Sequence, residues 1–68
     1  MTRRALLLAA IRAEGGDWTT GRVHHLYRST GVAPGRRTAR RDLRHLARAG
    51  HLAQRPGTHT YTPAGEAA

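Results

Sequence analysis

Apolar residues recur along this chain at two different periods, and the change from one to the other divides it. Leu7, Leu8 and Ile11 repeat at helical spacing over residues 2–13, with Leu6 and Ala10 to one side of the stripe. Thr2 is placed to cap that helix and Gly15-Gly16 to stop it. A second stripe of Val23, Leu26 and Tyr27 begins after Thr19 or Thr20, either of which can cap, and ends before Gly31. Trp18, just ahead of the cap, is placed to fold back onto the core as a hydrophobic staple. The third pattern lies between Ala33-Pro34-Gly35 and Gly50, with a proline near its start and a glycine just past its end. Pro34 as the first helical residue and Gly35 as the cap both fit. Ala39, Leu43, Leu46 and Gly50 fall on one narrow face of this helix.

Past Gly50 the period becomes two. Leu52 and Gln54, then Thr58, Thr60 and Thr62 around Tyr61, predict two short strands. Arg55-Pro56-Gly57-Thr58 joins them, with proline and glycine at the central positions of a type II turn. Pro63-Ala64-Gly65 closes the ordered part. The expected fold is mainly α with a small β-hairpin: one domain over residues 1–63 and a frayed tail over residues 64–68.

Composition narrows the class. Sixty-eight residues without Phe, and with one Trp and two Tyr, allow a single small aliphatic core. The absence of cysteine removes disulfides and thiolate metal sites and agrees with a reducing cytoplasm. The apolar stretch over residues 5–11 is too short to span a bilayer. Arg12, Glu14 and Asp17 follow it where a signal peptide would carry a small-residue cleavage site, so it reads as a core helix.

Charge changes the picture most. All twelve basic residues are arginine, against four acids, for a formal charge of +8. A GC-rich genome explains arginine in place of lysine, but not where the arginines fall. Over residues 36–55 seven arginines meet one acid, Asp42. Arg37, Arg41, Arg44 and Arg48 lie opposite the apolar face of the third helix, with Arg40 at the edge. Four like charges at i, i+4, i+7 and i+11 repel one another, and an external polyanion would relieve them. Asp42 is expected to have a structural role, orienting an arginine or His45.

Helix, helix, turn, helix and hairpin in that order resembles the winged helix-turn-helix, three helices plus a two-stranded wing. Within it Thr38-Ala39-Arg40-Arg41-Asp42-Leu43, continuing through Leu46 and Ala49-Gly50-His51-Leu52, resembles the recognition helix and following strand of DeoR-type bacterial repressors. The layout match runs over residues 18–63, though residues 31–37 are longer than that family's tight turn. The resemblance implies binding to double-stranded DNA on the nucleoid, with Arg37, Thr38, Arg40, Arg41 and Arg44 as base contacts, Arg44 lying along the groove. Arg41 is the first choice for the two parallel bonds a guanidinium makes to guanine, with Arg37 and Arg40 next. Thr19, Thr20, Arg22, Arg36, Arg48, Arg55 and His59 are expected to contact the DNA backbone. The family's large effector domain has no counterpart in these residues, so a reader without its receiver is expected.

Other chemistries are disfavoured. His24 and His25 diverge on a helix, and no set of ligands for a metal is visible. No nucleophile–base pair, paired carboxylate or phosphate-binding glycine loop is visible either, so neither enzyme activity nor a cofactor is expected. The leading reading is a compact transcriptional regulator or repressor, of the kind a mobile element or phage carries. Alternatives are an architectural accessory of recombination, replication or segregation, and a protein-interaction module whose arginine face binds an acidic partner. A homodimer or cooperative pair on a palindromic site is expected, with Leu6 and Ala10, flanked by Ala9 and Ala13, as the contact surface.

Overall fold

The structure is a computed structural model that describes residues 2–31 and 35–64. Three helices, α1 (Arg3–Glu14), α2 (Thr20–Ser29) and α3 (Arg36–Arg48), precede an antiparallel hairpin of β1 (Leu52–Gln54) and β2 (Tyr61–Pro63). The chain is thus mostly helical with a two-stranded wing, as its periodicity predicts.

Helix ends follow local chemistry. The Thr2 hydroxyl accepts from Ala5 N at 3.1 Å, and the Thr19 hydroxyl accepts from Arg22 N at 3.2 Å, which makes Thr19 and not Thr20 the cap of α2. Gly35 caps α3 through its backbone, with no side chain to help, so the helix begins at Arg36. Pro34 lies outside the described residues. At the other end Gly50 takes φ 90°, its N–H donates to Ala47 O, and His51 N donates to Leu46 O. Those two bonds form a Schellman stop and turn the chain directly into β1.

Leu7 and Ile11 of α1, Val23 and Tyr27 of α2, and Ala39, Leu43 and Leu46 of α3 are buried together with Trp18, Leu52 and Tyr61. Leu8, Ala10 and Leu26 are half-buried against this cluster. α3 packs on α1, α2 and β1, and so forms the centre of the domain. Ala10 therefore belongs partly to the core, which narrows the expected self-association surface to half-buried Leu6 and the exposed Ala9 and Ala13.

The hairpin is shorter than the alternation implies. Leu52 pairs with Pro63, Ala53 with Thr62 and Gln54 with Tyr61, and Thr58 and Thr60 fall outside the second strand. Thr58 N donates to Arg55 O, with Gly57 at φ 74°, as a type II turn requires. Tyr61 has a second partner: its N–H and C=O pair with the C=O and N–H of Trp18, at 2.8 and 2.7 Å. Trp18 therefore acts as a one-residue third strand as well as a staple, and its indole Nε1 donates to Gly15 O at 3.1 Å. Fraying does not begin at residue 64, because Ala64 N donates to His51 O at 3.0 Å. Residues 65–68 lie outside the described residues.

The one buried charge among the described residues is Asp42, on the inner side of α3. Arg3 Nε and Nη2 donate to its two oxygens at 2.6 and 3.1 Å, and the Tyr27 hydroxyl donates to Oδ2 at 2.6 Å. The expected structural role is therefore met by Arg3 from α1, 39 residues away, and not by His45. Burial alone would raise the Asp42 carboxyl, but the Arg3 and Tyr27 hydrogen bonds and the charges of Arg3 and Arg4 outweigh it and hold it below the usual carboxylate value. Burial, followed by the bond to Asp42, pushes the Tyr27 hydroxyl well above its ordinary range.

A depressed carboxylate stabilises the fold above its unfolded value and loses that contribution as pH falls through the folded value. Thermal stability is thus expected to drop below about pH 4, with a smaller drop in Asp42→Asn. At neutral pH Asp42→Asn is expected to cost about 1–3 kcal/mol, because it weakens a charge-assisted pair whose arginine still reaches water. Denaturant midpoints and melting curves from pH 2 to 7 check both expectations.

Candidate nucleic-acid interface

The interface grows from the rotation that Asp42, Leu43 and Leu46 impose on α3. With that side turned inward, all six α3 arginines, Arg36, Arg37, Arg40, Arg41, Arg44 and Arg48, are exposed. None of their guanidinium groups makes a hydrogen bond or ion pair among the described residues. The described acids are used elsewhere: Asp42 by Arg3, Glu14 by Arg22 at 2.9 Å, and Asp17 by Arg55 at 2.9 Å.

The helix also meets its own dipole badly. Arg36 and Arg37 open α3 with no acid in the first turn, although the positive end of a helix favours negative charge. Each such misplacement costs about 0.3–1 kcal/mol at an exposed site. An anion against this helix would relieve both the dipole conflict and the mutual repulsion.

The arginines divide by direction. Arg37 and Arg41 are exposed on the side of α3 opposite its buried face and do not line the hollows beside the hairpin. Arg40, Arg44 and Arg48 instead line an open trough of about 510 Å³ between α3 and the hairpin, together with Gln54, His59 and Tyr61. A neighbouring hollow of about 350 Å³ continues it toward the start of α2, where Thr19, Thr20, Gly21, Arg36 and Thr60 join the same Arg40 and His59. Arg36 reaches back to this end of α2, where a Cβ on Gly21 would stand in ordinary contact with its guanidinium, at 3.8 Å.

Several expected backbone contacts therefore come together: Thr19, Thr20, Arg36, Arg48 and His59 all border this continuous trough. Arg22 and Arg55 do not join them. Arg22 lies 3.9 Å over the Trp18 ring and donates to Asp17 O and Glu14, while Arg55 pairs with Asp17. The basic tip expected of the wing is thus tied to the body of the domain. Thr38 is half-buried, on the flank of α3 away from the hairpin. The trough itself was not read from the sequence. Its residues come from four separate segments, and only the clustering of arginine in α3 pointed toward it.

Among the described residues no three His, Cys, Asp or Glu side chains gather as a metal site. No helix there is long and apolar enough to cross a membrane. Comparison of the chain with protein-family models, curated proteins and solved structures gives no match.

Proposed function

We propose that this chain is a sequence-specific double-stranded-DNA-binding domain, a small bacterial transcriptional regulator or repressor, that lays α3 in the major groove. The observation that carries the reading is six exposed α3 arginines without partners while each described acid is already paired. The row from Arg37 to Arg48 extends about 16 Å along the helix, roughly the rise of five base pairs. A B-form major groove is about 12 Å wide and admits one helix. Arg37 and Arg41, pointing outward near the start of α3, are suited to the base edges. The repressor assignment rests on the resemblance of residues 38–52 to DeoR-type recognition helices.

Titration with duplex DNA over a range of salt tests the reading. Neutralising about 4–6 phosphates per protomer gives a slope of log K against log salt of roughly −4 to −5. A slope near zero would remove the proposal.

Arg41→Lys separates reading from attraction. An ammonium keeps the charge but loses the planar fork. The expected loss is about 1–3 kcal/mol at one base pair, with little change on unrelated sequences. Arg48→Ala is expected to weaken all sequences alike. Binding-site selection on both variants compares them, and equal, sequence-independent losses would reduce Arg41 to a phosphate contact.

A domain this small covers few base pairs, and pairing on a palindrome would supply the missing specificity. Leu6→Glu is expected to keep the fold and half-site affinity while abolishing cooperativity on a full site. Circular dichroism and gel-shift titrations on both sites check this. Cooperativity that survives in the folded variant would place the contact elsewhere.

A further inference from the structure

The trough between α3 and the hairpin differs from the outer arginine row in one respect: it contains a histidine. His59 borders both the trough and the hollow beyond it, and so sits where the two join. The titratable and charged groups around it are Arg40, Arg44 and Arg48 on the α3 side, Tyr61 on β2, and Arg36 toward α2. Gln54 of β1 and the threonines contribute only neutral polar groups. Among the described residues no acid lines either stretch. The nearest turn cation, Arg55, is held by Asp17.

We infer that this trough is the track for one phosphodiester strand of the duplex, with His59 as its proton-dependent contact. The inference rests on the duplex-DNA reading above and divides α3 in two. Arg37 and Arg41 remain with the bases, while Arg40 and Arg44, expected at the bases from the motif, join Arg48 and Arg36 on the phosphates. A guanidinium stays charged at any working pH. An imidazole, unlike a guanidinium, is a side-chain type that can take up or release a proton between about pH 5 and 8. In the free protein a proton on His59 adds a cation to a row of arginines. With a phosphodiester in the trough, the same proton gains a charge-assisted hydrogen bond. Binding therefore takes up a proton, and by linkage a fall in pH tightens binding.

The experiment is fluorescence anisotropy of the full chain with a labelled duplex of about 20 base pairs, at constant salt, near pH 7.5 and near pH 5.5. The wild type is expected to tighten roughly five- to tenfold on acidification, the scale of one added charge-assisted contact. His59→Gln keeps an exposed polar side chain without the proton, and is expected to lose most of that tightening, whatever its affinity at the higher pH. His25→Gln, on α2 beside Glu14 and Trp18, is expected to tighten as the wild type does. The salt slope of the wild type is expected to steepen by about 0.9 at the lower pH, and that of His59→Gln to change less. If His59→Gln tightens as much as the wild type, or the wild type does not tighten at all, the track lacks this contact and the inference is overturned. Failure of the wild type to bind duplex at either pH would overturn the inference together with the DNA reading itself.

Discussion

Asp42 is where the three helices meet, and its needs set the rotation of α3. A carboxylate taken out of water costs several kcal/mol unless its oxygens are occupied by charged or polar partners. Here Arg3 of α1 occupies both oxygens and Tyr27 of α2 shares one, so no lone polar atom is left buried at the contact. One residue step around the helix, about 100°, would carry Asp42 away from both partners. The same step would turn an arginine into the apolar cluster. Packing of Leu43 and Leu46 favours this rotation, and the hydrogen bonds make its neighbours costly. Which arginines face outward is thus decided by the one acid in their midst.

Much of this architecture was legible because it is local. Helix faces came from the 3.6-residue period, Gly50 and Gly15 marked stops, and Pro56-Gly57 marked the turn. The choice between Thr19 and Thr20 was not legible, since either hydroxyl can cap and only the built turn selects one. Long-range pairing was less accessible still. Nothing near Asp42 in sequence points to Arg3, and nothing near Tyr61 points to Trp18. Those partners are chosen by how the helices stack, which periodicity constrains only through which face is apolar. Thr58 and Thr60 have the spacing of a strand, yet the turn hydrogen bond from Thr58 to Arg55 takes Thr58 out of the ladder. For the interface, sequence identified the cationic helix but not the division of its arginines. That division depends on where the hairpin lies.

The placement of the acids explains why the cationic side is so unbroken. Glu14 and Asp17 stand at the end of α1 and in the connection to α2, and there they bind Arg22 and Arg55. These exposed pairs contribute little to stability, typically under about 1 kcal/mol each. Their larger effect is on charge distribution. They neutralise arginines on one side of the domain and leave no acid among the described residues to compete for those of α3. Arg22 gains further from the face of Trp18, which lies beneath it and is itself locked to β2.

The hairpin completes this arrangement mainly through backbone bonds. Trp18 holds Tyr61 in register, Asp17 holds Arg55, and the Schellman stop at Gly50 leaves no slack between α3 and β1. The hairpin is therefore held by backbone bonds to the segment before α2 and to the end of α3, with the exposed Asp17–Arg55 pair as a weaker tie at the turn. A trough with fixed walls can present charges to a strand without an ordering cost, which is where preorganised sites gain over flexible ones. The cost has already been met within the free domain, as arginine repulsion along α3 and an unfavourable dipole at its start. A duplex bound as proposed would return that energy on binding and so stabilise the fold by mass action. Binding and folding are coupled most closely in the first turn of α3, where Arg36 and Arg37 oppose the dipole and border the proposed strand and bases.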